Sequence, residues 1–191
     1  MNMKELSDTE LIRRTVEEQN NQYFGVLFER YREKVQSKCF SMTKSRSVSD
    51  DLVQDIMVKA MEKLYQFKGK ASFSTWLYSI TYNHCIEYLT RHQRIKYDDW
   101  ASSLDIPNEV TESEIEGILE LKSARLVLLL EMIKPEDKAL ILLKYQEGFD
   151  LKKIMYILSL EGESATKMRI NRAKKRLVAF YNQLYASLEE Q

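Results

Sequence analysis

Leu52, Ile56, Ala60, Leu64 and Phe67 recur at intervals of three and four, a spacing that puts them on one stripe of an α-helix but on both faces of a strand. A stripe of that kind has to be buried against other helices. Ser49 followed by Asp50 and Asp51 predicts the helix start, because a Ser hydroxyl and early carboxylates satisfy the free amides of a first turn. Asp51, Gln54, Asp55 and Glu62 fall on the other faces, where solubility alone is sufficient reason for acids. Residues 68–74, KGKASFS, interrupt the period with Gly and small polar residues and predict a loop. Trp76, Leu77, Ile80, Asn83, Ile86 and Leu89 then restore it as the inward side of a second helix. Tyr78, Tyr82, Tyr88, Arg91, His92 and Arg94 take the remaining positions. Aromatics interleaved with cations suit single-stranded nucleic acid, although that spacing more often marks a helical core than a stacking platform.

The rest of the chain offers little besides helix. Five Gly and two Pro in 191 residues leave scant material for hairpins, and the expected fold class is all-α. Ser7 and Glu10 form a capping-box pattern that starts a helix at Asp8 with Leu11, Ile12 and Val16 inward. Residues 23–42 predict one long amphipathic helix with Phe24, Leu27, Phe28, Tyr31, Val35 and Phe40 on its apolar side. Cys39 and Cys85 stand alone in sequence and read as free buried thiols, and His84 beside Cys85 points away from it on a helix, so no metal is expected. Scattered acids, two His and no phosphate-cradling Gly-rich loop supply no catalytic constellation. With no signal-peptide run, and a longest apolar stretch of only residues 126–130, the chain is expected in the cytoplasm without membrane insertion.

Net charge is zero, which argues against coating nucleic acid by bulk electrostatics, but the charge is segregated. Residues 97–121 hold eight acids and no Lys or Arg, whereas residues 164–188 hold six cations and no acid. Residues 95–111 lose helical period and contain Pro107, so composition predicts a solvated, flexible acidic linker; helix is expected again from Glu114 to Met132. Pro135, Glu136 and Asp137 suit a first helical turn, and Gly148 suits its end. Asp150 then caps a short helix bearing Leu151, Ile154, Ile157 and Leu158. A turn follows at residues 159–162. In the next helix Thr166, Ile170, Ala173 and Leu177 share one face, with Lys167, Met168, Asn171, Arg172 and Lys175 on the other. Short helix, turn and basic amphipathic helix is a helix-turn-helix arrangement, in which the second helix enters the DNA major groove; a merely solvated basic face is the alternative. The expected architecture is two small helical bundles, residues 1–96 and 122–191, joined by the acidic linker at 97–121.

These segments carry a family resemblance. DLVQDIMVKAMEKLYQFKG with FSTWLYSITYNHCIEYLTR resembles region 2 of bacterial RNA polymerase sigma factors, most of all the short extracytoplasmic-function group, and residues 135–181 resemble sigma region 4. The resemblance implies core RNA polymerase, through its clamp and flap, and promoter DNA as partners, allows for an anti-sigma factor, and implies no cofactor and no enzymatic activity. It assigns Asp51, Gln54 and Asp55 to the clamp. Around the minus-ten strand, the loop at 68–74 is expected to capture a flipped base with Lys70, Ser72 and Phe73, while Asn83 supplies an amide and Tyr82, Tyr88 and Arg91 lie along the strand. Trp76 reads as structural. For the minus-thirty-five element, Ser164, Ala165, Lys167, Met168 and Asn171 are the base-reading candidates, with Arg172 and Lys175 as cations on the same face. The turn SLEGES, one residue longer than the common pattern, and Thr166 in place of an aliphatic residue depart from the family. An ordinary DNA-binding regulator would explain the second bundle but leave residues 68–94 without a role.

Overall fold

The computed structural model describes residues 3–92, 105–120 and 123–189. They form ten α-helices and no strand among the described residues: α1 Asp8–Glu17, α2 Asn21–Glu29, α3 Arg32–Thr43, α4 Arg46–Lys63, α5 Phe73–His92, α6 Glu112–Leu119, α7 Ser123–Met132, α8 Pro135–Ile141, α9 Leu151–Leu158 and α10 Glu163–Glu189. Arg94 and, within the expected linker, residues 97–104 and 121 lie outside the described residues. Packing separates the chain into two compact units, residues 1–85 with 156–158, and residues 86–155 with 159–191.

In the first unit α3 packs on α4 and α1 on α2. The Leu52 stripe is buried as its spacing requires, Leu52, Ile56, Ala60 and Leu64 all being 2% exposed or less. Helix α4, however, starts earlier than Ser49. Ser45 is the cap, its Oγ accepting from the Val48 amide, while Ser49 is buried and donates back to the Ser45 carbonyl at 2.6 Å. The run Ser45-Arg46-Ser47-Val48-Ser49 offers three equivalent hydroxyls, and the first is selected because α3 ends just before it, at Lys44, in left-handed conformation.

The predicted single helix over 23–42 is two helices. Arg30 at the break reaches Asp8 at 2.7 Å and the Leu6 carbonyl at 2.6 Å, and the Tyr31 hydroxyl donates to the same Asp8 carboxylate. Fastening the N-terminal segment therefore uses the side chains at the break. The changed phase leaves Phe40 exposed, contrary to expectation; Val16 in α1 is also exposed. Ser7 caps α1 through the Glu10 amide, but the Glu10 carboxylate bonds to Arg13 and Arg14 rather than closing the box. Cys39 and Cys85 are free and buried, and their sulfurs lie 3.8 Å apart.

In the second unit α10 packs on α6, α7 and α8. The helix expected over 114–132 is divided into α6 and α7. Thr111 starts α6 with a complete capping box to Glu114, so helix begins at Glu112, two residues before its expected start. Ile115 and Ile118 bury its inner side. Helix α8 runs on through a π turn, Leu142–Gln146, towards Gly148. Asp150 Oδ1 accepts from the Lys153 amide at 2.8 Å at the start of α9. Gly162, at φ +78°, completes the turn into α10 in a conformation that suits glycine.

Candidate functional site

Three surfaces hold the predicted residues. On α4, Asp51, Gln54 and Asp55 are exposed, with Leu52, Val53 and Ile56 buried beneath them. Spacings of one, three and four bring the three polar side chains to one outward patch. Asp55 has a neighbour that sequence spacing does not reveal: His84 Nε2 lies 3.4 Å from its carboxylate, and Lys59 Nζ lies 2.8 Å from His84 Nδ1. An ammonium only donates, so Nδ1 accepts and Nε2 is the nitrogen that donates towards Asp55.

At the start of α5, Ser72 is the capping residue, its Oγ accepting from the Thr75 amide at 3.2 Å and its carbonyl from the Trp76 amide at 3.0 Å. The helix thus begins at Phe73, within the predicted loop. Phe73 is 4% exposed and is surrounded by rings at centroid distances of 5.4 Å (Tyr31), 6.0 Å (Phe67) and 5.5 Å (Trp76). Trp76 is half-buried in this cluster, as its structural reading requires. Gly69, at φ +68°, turns the loop and leaves Lys68 and Lys70 exposed.

Between this loop and α1 is an open pocket of about 680 Å³, lined by Asp8, Thr9, Ile12 and Arg13 from α1 and by Phe67, Lys68, Gly69, Ala71, Ser72 and Phe73. The α1 wall was not foreseeable, since nothing in the first seventeen residues signals where that helix packs. Its charge is largely cancelled: Arg13 is paired with Glu10 and Glu17, and bonds from Arg13 and Arg14 hold the Glu10 carboxyl down at about 2.

Farther along α5 the inward side is formed by Leu77, Tyr78, Thr81, Tyr82, Cys85 and Leu89. Tyr82 is fully buried, so its assignment along a DNA strand is corrected: it belongs to the core, because the helix is rotated from the predicted stripe and turns Asn83 outward in its place. Asn83 is exposed, its amide donating to the Ser79 carbonyl at 2.8 Å. Arg91 is exposed and paired with Glu87, and Tyr88 stacks on His92 at 4.1 Å.

On α10, Ser164, Ala165, Lys167, Met168, Asn171 and Arg172 are exposed and Lys175 is half-buried, while Thr166, Ile170, Ala173 and Leu177 are buried. Thr166 is accommodated because its hydroxyl donates to the Gly162 carbonyl at 2.9 Å, which satisfies it without water. The predicted division of faces is thus present, but Lys174 is not on the open one. It is 6% exposed and donates to Glu112 of α6 at 2.6 Å. Arg176 is paired with Asp137, and Lys175 donates to the Asn108 carbonyl. Among the described residues no helix is long and apolar enough to cross a membrane.

The sigma-70 region 2 family matches residues 27–95, the part of the chain that holds α4, the loop after it and α5. The ECF RNA polymerase sigma factor SigX of Bacillus subtilis is 23% identical over 163 residues, spanning 81% of this chain and 81% of that protein. The ECF RNA polymerase sigma-E factor of Haemophilus influenzae is 29% identical over 190 residues, 91% of this chain and 95% of that one. The chain thus carries a sigma-70 region 2 and is similar along most of its length to proteins named ECF RNA polymerase sigma factors. A solved structure of CnrH in complex with the cytosolic domain of CnrY shares the fold, with a TM-score of 0.61, 23% identity, and coverage of 92% of this chain and 97% of that one.

Proposed function

We propose that this sigma factor binds core RNA polymerase in the cytoplasm, directs it to a promoter and helps to melt the DNA, with no bond-making chemistry of its own. The observation that supports this most is the region 2 match over residues 27–95 within relatives named as ECF sigma factors along most of their length. Residues 1–96 act as region 2, 97–121 as the connecting segment and 122–191 as region 4. Asp51, Gln54 and Asp55 meet the polymerase clamp, and the second unit meets the flap. The pocket beside the 68–74 loop takes a flipped minus-ten base. Its Phe67, Phe73 and Ile12 surface offers apolar contact, Thr9 and Ser72 offer hydroxyls, and Lys70, exposed on the same loop, meets the strand's phosphate. Asn83, Tyr88 and Arg91 follow the strand. An anti-sigma factor is a further partner, in keeping with the CnrH neighbour bound by the cytosolic domain of a second protein.

The test is reconstitution. Core polymerase supplemented with this chain gives a promoter-dependent run-off transcript; a conventional regulator would bind duplex DNA without retaining polymerase on a pull-down. If neither transcript nor retained polymerase appears, the reading is overturned.

Within α10, Arg172 is exposed and placed for a phosphate. Arg172→Ala is expected to weaken all duplexes to a similar degree and to lower the slope of log affinity against log salt by about one. Anisotropy titrations over a salt series read this directly, and an altered sequence preference would instead make Arg172 a base reader.

A further inference from the structure

Lys174 breaks the pattern of a recognition helix, because a cation on a DNA-facing element is not ordinarily buried. It lies on the α6 flank of α10, and Glu112 occupies the space in front of it. Both oxygens of that carboxylate are engaged, one by Lys174 Nζ at 2.6 Å and the other by the Tyr145 hydroxyl at 2.7 Å. Lys144 attracts the same group, and together these donors hold the Glu112 carboxyl below the usual carboxylate range. A pocket of about 260 Å³ surrounds it, lined also by Lys167, Ile170 and Asn171.

Two lysines and a phenol act on a single carboxylate, and a third lysine, Lys167, lines the same pocket. The same donor set suits a phosphodiester, which like a carboxylate carries one negative charge on two oxygens that accept charge-assisted bonds, so one can take the place of the other. Position points the same way. Lys167 and Asn171 belong to the exposed face of α10, so the pocket opens where a backbone flanking that face would run. Glu112 stands at the first residue of α6, which a capping box secures and the buried Ile115 and Ile118 anchor. Glu114, whose carboxylate is taken up by that cap, is close enough to feel Lys174; Glu116 is close enough to feel Tyr145.

We propose that Lys144, Tyr145, Lys167 and Lys174 form a phosphodiester site on the flank of α10, and that Glu112 is its internal occupant until duplex DNA displaces it. The proposal rests on α10 being the duplex-reading helix. It makes the acidic segment a competitor for one backbone contact rather than a passive tether.

The test uses the full chain and a labelled 20-base-pair duplex of arbitrary sequence, titrated at several salt concentrations. Glu112→Gln keeps an acceptor for Lys174, so the fold is retained, which a thermal melt checks. It is expected to bind about five- to tenfold tighter at low salt, with a salt slope steeper by about one. Adding Lys174→Gln to that variant returns both readouts to those of the parent. Equal affinity of Glu112→Gln and parent, in a protein whose Arg172→Ala variant is weakened, overturns the site but leaves α10 on DNA. If Arg172→Ala also changes nothing, the reading of α10 fails first. A third arm holds ionic strength constant and replaces chloride by inorganic phosphate: a raised melting temperature of Glu112→Gln without tighter duplex binding would make the pocket a small-anion site and overturn the assignment to DNA.

Discussion

Phe73→Ala is expected to destabilise the first unit by about 3–5 kcal/mol, a range set by the loss of a buried aromatic and the cavity it leaves. The side chain is 4% exposed and its ring meets Tyr31, Phe67 and Trp76, which come from three different parts of the chain. No neighbour can collapse into the gap without moving α3 or the start of α5. Against a total stability of about 5–15 kcal/mol the loss is large, and for a unit of this size it lowers the melting temperature by about 12 °C or more. Thermal melts followed by circular dichroism read it. Lys70→Ala, exposed on the same loop, is expected to stay within about 0.5 kcal/mol of the parent. The pair separates the loop's two tasks: an open-complex defect in Lys70→Ala reports on DNA, whereas one in Phe73→Ala reports first on folding. A Phe73→Ala melt indistinguishable from the parent would mean that the aromatic cluster does not hold the loop to the helices.

That division was not visible in the sequence, and the reason is physical. Helical period identifies which side chains share a stripe, and it was sufficient for the Leu52 stripe on α4 and the Thr166, Ile170, Ala173 and Leu177 face of α10, although Met57, Val58, Met61 and Met168 remain exposed on the other faces. On α5 nearly every position is apolar, aromatic or small, so several rotations fit equally well; packing chose the one that buries Tyr82 and exposes Asn83. Caps were ambiguous for a similar reason. Three serines in five residues could each start α4, and only the left-handed Lys44 ahead of Ser45 selects the first.

Contacts distant in sequence were illegible altogether. Asp8 with Arg30 and Tyr31, Cys39 with Cys85, Asp55 with His84 and Glu112 with Lys174 each join residues more than twenty apart. The acids of residues 97–121 read as a solvated tether because composition records charge but not its partner. Helix from Glu114 was nonetheless expected, and Ile115 and Ile118 are buried on its inner side.

The double variant Asp51→Arg with Gln54→Ala is expected to lower affinity for core polymerase at least about thirtyfold, equivalent to about 2 kcal/mol, since a reversed charge at a complementary interface costs several kcal/mol and acts on both encounter and dissociation. The fold should not register the change. Both side chains are exposed on α4, the stripe that packs the helix lies at Leu52, Ile56 and Ala60, and the Ser45 cap is a full turn away. Asp55 remains, held beside His84, so binding is weakened rather than erased. Titration of core polymerase onto immobilised sigma factor at two ionic strengths measures the loss, which should shrink at higher salt as the reversed charge is screened. Affinity within threefold of the parent, in a variant with an unchanged melt, would remove the α4 acids from the polymerase interface and leave family membership without this contact.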